Sequence, residues 1–177
     1  MTFFLTRVTL QAMVLRKAKI KDLEAIMDIY HVARQGMQRS GNKKQWGDSY
    51  PSRELIEKSI LYNKQYVFQH KGELVGTFYF AVEEEATYAR IYNGEWLNDD
   101  PYGVVHRLAS NGRHKGVAHF CLEWCLLQCD NMRIDTHRDN IIMQNILEKN
   151  GYVRCGMIFT HDATERLAFQ KSKRLYH

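Results

Sequence analysis

Apolar residues recur along the chain with two different spacings, one typical of helices and one typical of strands. The helical spacing is clear at Leu23, Ile26, Ile29 and Tyr30, and it predicts a helix that opens at residues 21–22. Strand-like runs occur at 65–69 and 74–82, separated by a short Gly-containing turn, and this pattern predicts a hairpin.

The remaining pattern extends this into a complete order of elements. Further strands are predicted at 14–19, 102–110 and 131–136, further helices after Ser52 and at 115–129 and 140–149, and a closing hairpin at 152–160 and 166–169. The stretch 83–101, acidic and then aromatic, predicts a loop. Strands that alternate with helices in this way predict an α/β or α+β fold, a mixed sheet covered by helices.

Length and composition set the class of protein. The 177 residues, 45% apolar and 12% aromatic, predict one ordered domain, which we place at 14–170 between an extension or upstream start (1–13) and a basic tail (171–177). The longest apolar run is too short to span a bilayer, and Arg7 interrupts the apolar start, so we expect neither membrane insertion nor a secretory signal. A soluble, cytoplasmic protein is the expectation.

The distribution of charge and the spacing of the cysteines argue against a nucleic-acid-binding protein and against a cysteine metal site. The net charge of +5 comes from the chain ends, since residues 1–22 and 166–177 each carry +4, and we expect no nucleic-acid partner because the basic residues form no single patch. Cys121, Cys125 and Cys129 follow a helical i, i+4, i+8 stripe with no CxxC pair, which predicts buried thiols rather than a metal site.

The segment with candidate chemistry follows the strand at 102–110. An Asn111-Gly112 turn leads through Arg113, His114, Lys115 and Gly116 into Val117-Ala118 at a helix start. Unpaired N–H groups at a helix N-terminus bind anions, and a glycine there admits a phosphate close to the backbone. The residues alone leave two interpretations open, a diphosphate-sized site and an ordinary strand-to-helix turn.

Two motifs resemble the GNAT family of N-acetyltransferases. Arg113-x-x-Gly116-x-Ala118 is similar to the family's acyl-CoA signature, and it follows His106-Arg107-Leu108-Ala109 on a strand. A second segment, from Asn140 and Met143 to Leu147-Glu148-Lys149-Asn150-Gly151-Tyr152, resembles the family's later signature. The resemblance implies a mostly antiparallel sheet of about seven strands with about four helices, in which a splayed strand pair forms the CoA cleft.

The resemblance also implies site residues and a reaction. Acetyl-CoA would be the co-substrate, held by Leu108, Ala109, Ser110, Arg113, His114, Lys115, Gly116, Val117, Ala118, Asn140 and Met143. Its acetyl group would pass to a primary amine of a small molecule or peptide by direct attack in a ternary complex. The segments that border the acceptor cleft in the family hold Trp46, Tyr50, Tyr92 and Trp96 here.

His106 is the candidate base, because a strand imidazole can take the proton of the attacking amine. A packed strand histidine is the equally weighted alternative. The family's usual acid position holds Leu147, a departure that raises a second hypothesis: an acyl-CoA-binding sensor or partner module without turnover. The acceptor's identity and the oligomeric state, for which a homodimer is the default, stay open.

Overall fold

The computed structural model describes residues 13–173, which form a seven-stranded sheet with helices against both faces. The strands are β1 (Met13–Lys17), β2 (Gln65–His70), β3 (Glu73–Val82), β4 (Gly103–Ser110), β5 (Asn131–Thr136), β6 (Val153–Phe159) and β7 (Glu165–Ser172). The α-helices are α1 (Leu23–Arg39), α2 (Arg53–Leu61), α3 (Val117–Cys129) and α4 (Ile141–Lys149). Short 3₁₀ turns lie at Ile20–Asp22 and Ala86–Tyr88. The predicted fold class is confirmed.

The sheet contains a single parallel pair in the order β1-β2-β3-β4-β5-β7-β6. β4 and β5 are paired at only two positions, Gly103 with Met132 and Val104 with Arg133, whereas β4 continues to Ser110 and β5 to Thr136. A parallel neighbour needs a crossover connection, and α3 supplies it. The two strands therefore diverge toward their carboxyl ends, and we call the resulting opening the splay cleft.

One face of the sheet packs against α3 and α4. Aromatic and aliphatic side chains of β2, β3, β5 and β7 meet the inner faces of these helices, and the fully buried members include Phe68, Phe78, Cys121, Cys125, Met132, Leu147 and Phe169. All four cysteines are free thiols. Burying apolar side chains between a sheet face and a helix stripe is the main driving force for this layer.

The opposite face is covered in two different ways. Over β2 to β4 it meets α1 and α2, through Ile26, Tyr30, Ile56 and Ile60 among others. Beyond the splay cleft it is covered by the segment between β3 and β4, whose Tyr88 and Tyr102 pack on Val104, Ile158 and Ala168. The periodic residues of the predicted first helix thus form the buried side of α1.

The predicted cap at Ser52 is confirmed, and the other two helix starts move by one or two residues because the residue before each helix takes the capping position. The Ser52 hydroxyl accepts from Leu55 N–H, and the Asn140 side chain accepts from Met143 N–H. Gly116 precedes α3 with a φ of +84°. A capping residue satisfies orphan N–H groups without itself having helical dihedrals, so the helices begin at Arg53, Ile141 and Val117.

The predicted domain boundaries, 13/14 and 170/171, each fall within a strand. β1 begins at Met13, which is buried and pairs with His70, and β7 continues past residue 170, where Ser172 pairs with Asn131. The predicted tail therefore loses residues 171 and 172 to the sheet. The rest of the predicted extension, 1–12, and the tail residues 174–177 lie outside the described residues.

The loop predicted at 83–101 crosses the outer strand β6 at very short range. Tyr92 exchanges backbone hydrogen bonds of 2.8 Å with Met157. A Cβ built on Gly94 would lie 1.9 Å from the Cys155 carbonyl oxygen, and one on Gly156 would lie 2.6 Å from the Tyr92 carbonyl oxygen. Only glycine at these two positions lets the loop lie on the sheet.

We expect Gly94→Ala to destabilise the protein by about 1–3 kcal/mol, because the added methyl group overlaps backbone that cannot move aside. Gly36→Ala is the matched control. Gly36 lies inside α1 with no atom within 4 Å of its would-be Cβ, so alanine should stabilise by about 0.5–1 kcal/mol. Urea unfolding measures both, and equal free energies of unfolding for Gly94→Ala and wild type would contradict this loop placement.

Candidate active site

A β-bulge turns β4 at the splay cleft. Tyr79 of β3 is paired with His106 and Thr77 with Ala109, so β4 holds one residue more than β3 between these pairs. Arg107, inside the bulge, has a φ of +54°. An extra residue bends its strand and re-aims the side chains around it. His106 lies just before the bulge, and Leu108, Ala109 and Ser110 follow it along the cleft.

A buried polar network supports the bulge from below. The Tyr30 hydroxyl donates to the Arg107 carbonyl at 2.9 Å, and Gln65 Nε2 donates to Tyr30 Oη at 3.0 Å and to Thr77 Oγ1 at 2.7 Å. Burial raises the pKa of Tyr30 to about 12, so its proton stays in place for the Arg107 bond. From the sequence, Tyr30 is predicted only to be a core residue. A helical period shows that its ring is buried, but it does not show that its hydroxyl bonds to Arg107.

The predicted anion loop lies at the far end of β4 and leads into α3. Two of its amides are already used: Gly112 N–H bonds Ser110 Oγ at 3.3 Å, and Arg113 N–H bonds Asn111 Oδ1 at 3.1 Å. Inside the helix the first bond joins Phe120 N–H to the Gly116 carbonyl at 3.0 Å. Amides from residues 117–119 therefore have no intrahelical acceptor.

Side chains around this loop differ in their exposure to solvent and in whether they already have a partner. The Arg113 guanidinium is exposed and paired with Glu73, and Lys115 is exposed. The His114 ring lies 4.6 Å from the ring of His70. Val117 is buried, and its Cγ1 is 2.9 Å from a Cβ built on Gly76. Ala118 is half-buried at the first turn. Val117 thus anchors the helix start in the core through its side chain.

His106 forms a close pair with a carboxylate that the sequence analysis did not select. Its Nε2 is 3.2 Å from Glu85 Oε2, and both side chains are nearly four-fifths buried. Glu85 Oε1 also accepts from Thr87 N–H at 3.2 Å and from the Thr87 hydroxyl at 3.1 Å. The bond with His106, and then those with Thr87, lower the pKa of Glu85 to about 2. Glu85 was missed because it lies within an acidic run that predicts a solvated surface.

Two of the predicted acceptor residues lie together on the loop between α1 and α2. The Trp46 ring is 5.6 Å from that of Tyr30 and 6.2 Å from that of Tyr50. Gln45 ties this loop to the end of β5 and the start of α4, since its Oε1 accepts from Asn140 Nδ2 at 2.9 Å. We use the name acceptor groove for the part of this face that lies between residues 45–50 and residues 85–88, because Trp46 reaches the bulge of β4 through Tyr30 and Glu85 reaches it through His106.

The other two predicted acceptor residues do not lie with Trp46 and Tyr50. Tyr92 packs on Phe159 of β6, three strands from β4 in the sheet order, beside a depression that Ala86 and Thr87 also line. Trp96 is a loop anchor: its indole N–H donates to the Tyr88 carbonyl at 3.0 Å, and Arg133 stacks 4.3 Å from its ring. The loop takes this path because it must cover the apolar face of β5 to β7.

The second motif occupies the other side of the splay cleft. Asn140 caps α4 through its carbonyl oxygen and uses its amide on Gln45. Met143 is half-buried against the core. Leu147 has no exposed surface and packs in the core beneath α4, so this position offers no proton donor to the cleft.

The described residues, 13–173, contain neither a cluster of metal ligands nor a helix that could span a membrane. No group of three or more His, Cys, Asp or Glu side chains is arranged to hold a metal ion. No helix in this part of the chain is both long and apolar enough to cross a bilayer.

We expect Glu85→Gln to reduce the pH dependence of stability. The folded pKa of Glu85 is about 2, below the ordinary value of about 4.3, so its ionised bonds stabilise the fold above pH 4–5 and are lost as pH falls toward 2. The wild type should lose about 1 kcal/mol more than Glu85→Gln between pH 7 and pH 3, after allowing for solvent screening. Urea unfolding at both pH values measures this. The control is Glu84→Gln at the exposed neighbour, which should behave as wild type, and the same result for Glu85→Gln would argue against the pair.

Comparisons with solved structures bear on the whole of this arrangement, although no sequence-family model and no curated protein matches the chain. A GNAT-family acetyltransferase from Streptococcus agalactiae shares 33% identity over 93% of this chain and 97% of its own, with a TM-score of 0.84. One from Bacillus cereus shares 18% over 91% and 97%, at 0.61. The yncA protein of Salmonella typhimurium, solved with its cofactor acetyl-CoA, shares 14% over 91% and 94%, at 0.62.

The Bacillus cereus and Salmonella typhimurium proteins are similar to this chain in fold alone. The Streptococcus agalactiae protein is the one that shows the family. Identity of 33% across nearly the full length of both chains, on the same splayed sheet, agrees with the two motifs in the sequence. The chain belongs to the GNAT family of acetyltransferases.

Proposed function

We propose that the protein transfers the acetyl group of acetyl-CoA to a primary amine of a small molecule or peptide, by direct attack in a ternary complex. The observation that carries the proposal is the His106–Glu85 pair, 3.2 Å apart, placed on β4 at the splay cleft. A base at this point lies between the helix start that suits a diphosphate and the groove that suits an acceptor.

On the CoA side, the chain offers amides, positive charge and a strand edge. The pyrophosphate would meet the N–H groups from His114 to Ala118 at the start of α3, where Gly116 presents no side chain. Arg113 and Lys115 would add positive charge at the same point. The pantetheine arm would lie along Leu108, Ala109 and Ser110, where β4 has no pairing with β5. Asn140 and Met143 would face it from α4.

Proton transfer from the amine is the step that needs a base. His106 would take the proton, directly or through one water, as the amine nitrogen bonds to the thioester carbon. Glu85 would orient the imidazole and stabilise the imidazolium that forms, since a carboxylate bonded to one ring nitrogen leaves the other as the acceptor. A backbone N–H of β4 past the bulge would hold the oxyanion.

Departure of CoA needs no side-chain acid in this scheme. The C–S bond breaks as the carbonyl re-forms, and the sulfur leaves as a thiolate that takes a proton from water. An ordinary thiol has a pKa of about 8.5, so the thiolate is a competent leaving group without a donor at Leu147. The cytoplasmic location and the homodimer stay predictions.

We expect Gly116→Asp to weaken acetyl-CoA binding at least about 100-fold, because a carboxylate would face the pyrophosphate across the helix start. Gly116→Asn is the matched control: both residues tolerate the left-handed backbone at this position, and only one is charged. Isothermal calorimetry with acetyl-CoA should give a clearly smaller loss for Asn. Equal affinity for Asp and wild type would exclude this loop as the diphosphate site.

We expect His106→Gln to lower kcat for amine acetylation by about 100-fold to 10,000-fold, the usual contribution of a general base, with acetyl-CoA affinity unchanged. Thiol release with a panel of amines measures the first and calorimetry the second. A wild type that binds acetyl-CoA but releases no thiol with any amine would favour the sensor module over the enzyme.

A further inference from the structure

Arg166 of β7 projects onto the face of the sheet that carries the acceptor groove. Its neighbour Ala168 packs with Val104 and Tyr88 on that face, and alternate residues of a strand share a face. Its Nη2 donates to the Gln45 carbonyl at 3.3 Å, which brings the guanidinium against the loop that carries Trp46. Arg166 therefore lies beside residues 45–50, which border the acceptor groove.

One nitrogen of the Arg166 guanidinium has no hydrogen-bond acceptor among the described residues. Nη1 is buried and makes no hydrogen bond to any residue in 13–173, and only an eighth of the side chain is exposed. The nearest carboxylate, Asp135, is 3.7 Å from Nε, beyond hydrogen-bond distance, and its other oxygen accepts from Tyr88 at 2.6 Å. A buried N–H without an acceptor is costly, so a ligand that supplies one would bind favourably.

The positive charge of Arg166 affects the nearby side chain of His137. Burial first, and then the charge of Arg166, lower the pKa of His137. His137 Nδ1 accepts from Asp139 N–H at 3.1 Å, as expected of a neutral imidazole. The charge of Arg166 is matched by Asp135 at 3.7 Å, and what the described residues leave unmatched at this point is the hydrogen-bonding capacity of its buried Nη1.

The other two arginines on this face are held by aromatic rings. Arg133 lies between Trp96 and Tyr102, at 4.3 and 4.2 Å from the ring centroids, so its unpartnered Nε is enclosed. Arg107 lies over the Tyr79 ring at 4.9 Å and donates to the Ser59 hydroxyl, and its Nε is also buried without a partner in residues 13–173. Arg166 differs from both in bonding directly to the loop that borders the acceptor groove.

A continuous path joins Arg166 to His106. Asp135 is 3.7 Å from Arg166, Tyr88 donates to Asp135, and the rings of Tyr88 and His106 have centroids 6.4 Å apart. In the sheet, β7 is the second strand from β4, and the splay cleft widens their separation beyond the roughly 10 Å of two ordinary strand spacings. Both side chains extend from the same face, His106 toward the Tyr88 ring and Arg166 toward Asp135, and an acceptor that meets both would lie across that face.

We infer that the acceptor carries a carboxylate, which Arg166 binds while the acceptor's amine meets His106. This narrows the acceptor from primary amines in general to amines that also bear a carboxylate, of which α-amino acids are the simplest. The inference rests on the proposed function, because His106 is taken as the base. Arginine suits this task, since its fork of N–H groups matches the two oxygens of a carboxylate.

The test compares acceptors that differ only in that charge. L-methionine, L-phenylalanine and L-glutamate are each offered alongside the corresponding α-carboxamide, and kcat/KM is measured by thiol release. We expect the wild type to prefer at least one acid over its amide by at least about tenfold. In Arg166→Gln the KM for that acid should rise by about 10–100-fold, with a smaller change in kcat, and the preference should disappear.

Two variants and one binding measurement make the outcome decisive. Arg166→Lys keeps the charge without the fork and should lie between wild type and Gln. Arg154→Gln, at an exposed arginine of β6, is the matched charge control and should keep the wild-type preference. Acetyl-CoA affinity by calorimetry should be the same in all four proteins, which also shows that Arg166→Gln is folded.

Failure of this inference can be told from failure of the proposed function. Turnover of amides or of diamines in preference to every acid, or an acid preference that survives in Arg166→Gln, would overturn the carboxylate site while leaving the enzyme intact. If no acceptor is turned over, the same acid and amide pairs are tested by calorimetry on the acetyl-CoA complex. Acid-selective binding that Arg166→Gln loses would support the site, and binding of none of the acids would overturn it.

Discussion

Pairing between β4 and β5 stops after two positions, and the rest of the site depends on that interruption. Up to Val104 the two strands share a ladder, and beyond it each has a free edge on the side of the splay cleft. Continuous parallel pairing would close the cleft and bring α3 and α4 together over a flat sheet. The bulge at Arg107 and the Tyr30 hydroxyl beneath it hold β4 in its diverging course.

The two faces of the sheet beside the splay cleft differ in polarity because different segments cover them. On the side of α3 and α4 the sheet is apolar, and helix starts present N–H groups toward the cleft. On the other side a loop replaces a helix beyond β4, and loops bring polar groups to a sheet face that helices would cover with apolar ones. Glu85 and Tyr88 reach His106 and Asp135 from that loop.

Buried charge on this second face is matched locally wherever the fold alone requires it. Arg133 lies between two rings, and Glu85 bonds His106 and Thr87. Arg166 is paired with Asp135 at 3.7 Å, and its Nη1, like Nε of Arg107 and of Arg133, is buried without a hydrogen-bond partner in the described part of the chain. The Arg166 side chain differs from the other two in lying against the loop that borders the acceptor groove, which is why we infer a ligand for it.

Local patterns in the sequence determined the elements and one side of the site. The helical period of α1, the turn before β3, the caps of α2 and α4 and the glycine before α3 all follow from interactions within a few residues, so they could be predicted. His106 and the loop into α3 were found because they lie within motifs. Strand ends could not be predicted where pairing between distant segments decides them, as at Met13 and Ser172.

Only the tertiary structure decided which distant residues meet. Glu85 and His106 are 21 residues apart, and Tyr30 and Arg107 are 77 apart, so no local period links them. Tyr92 and Trp96 were grouped with Trp46 and Tyr50 by their segment, yet the course of the loop over β5 to β7 packs them on Phe159 and Arg133 instead. The exposed or buried state of a polar atom depends on what the fold places over it, and for Arg166 that was decided by the docking of Gln45 from the opposite end of the chain.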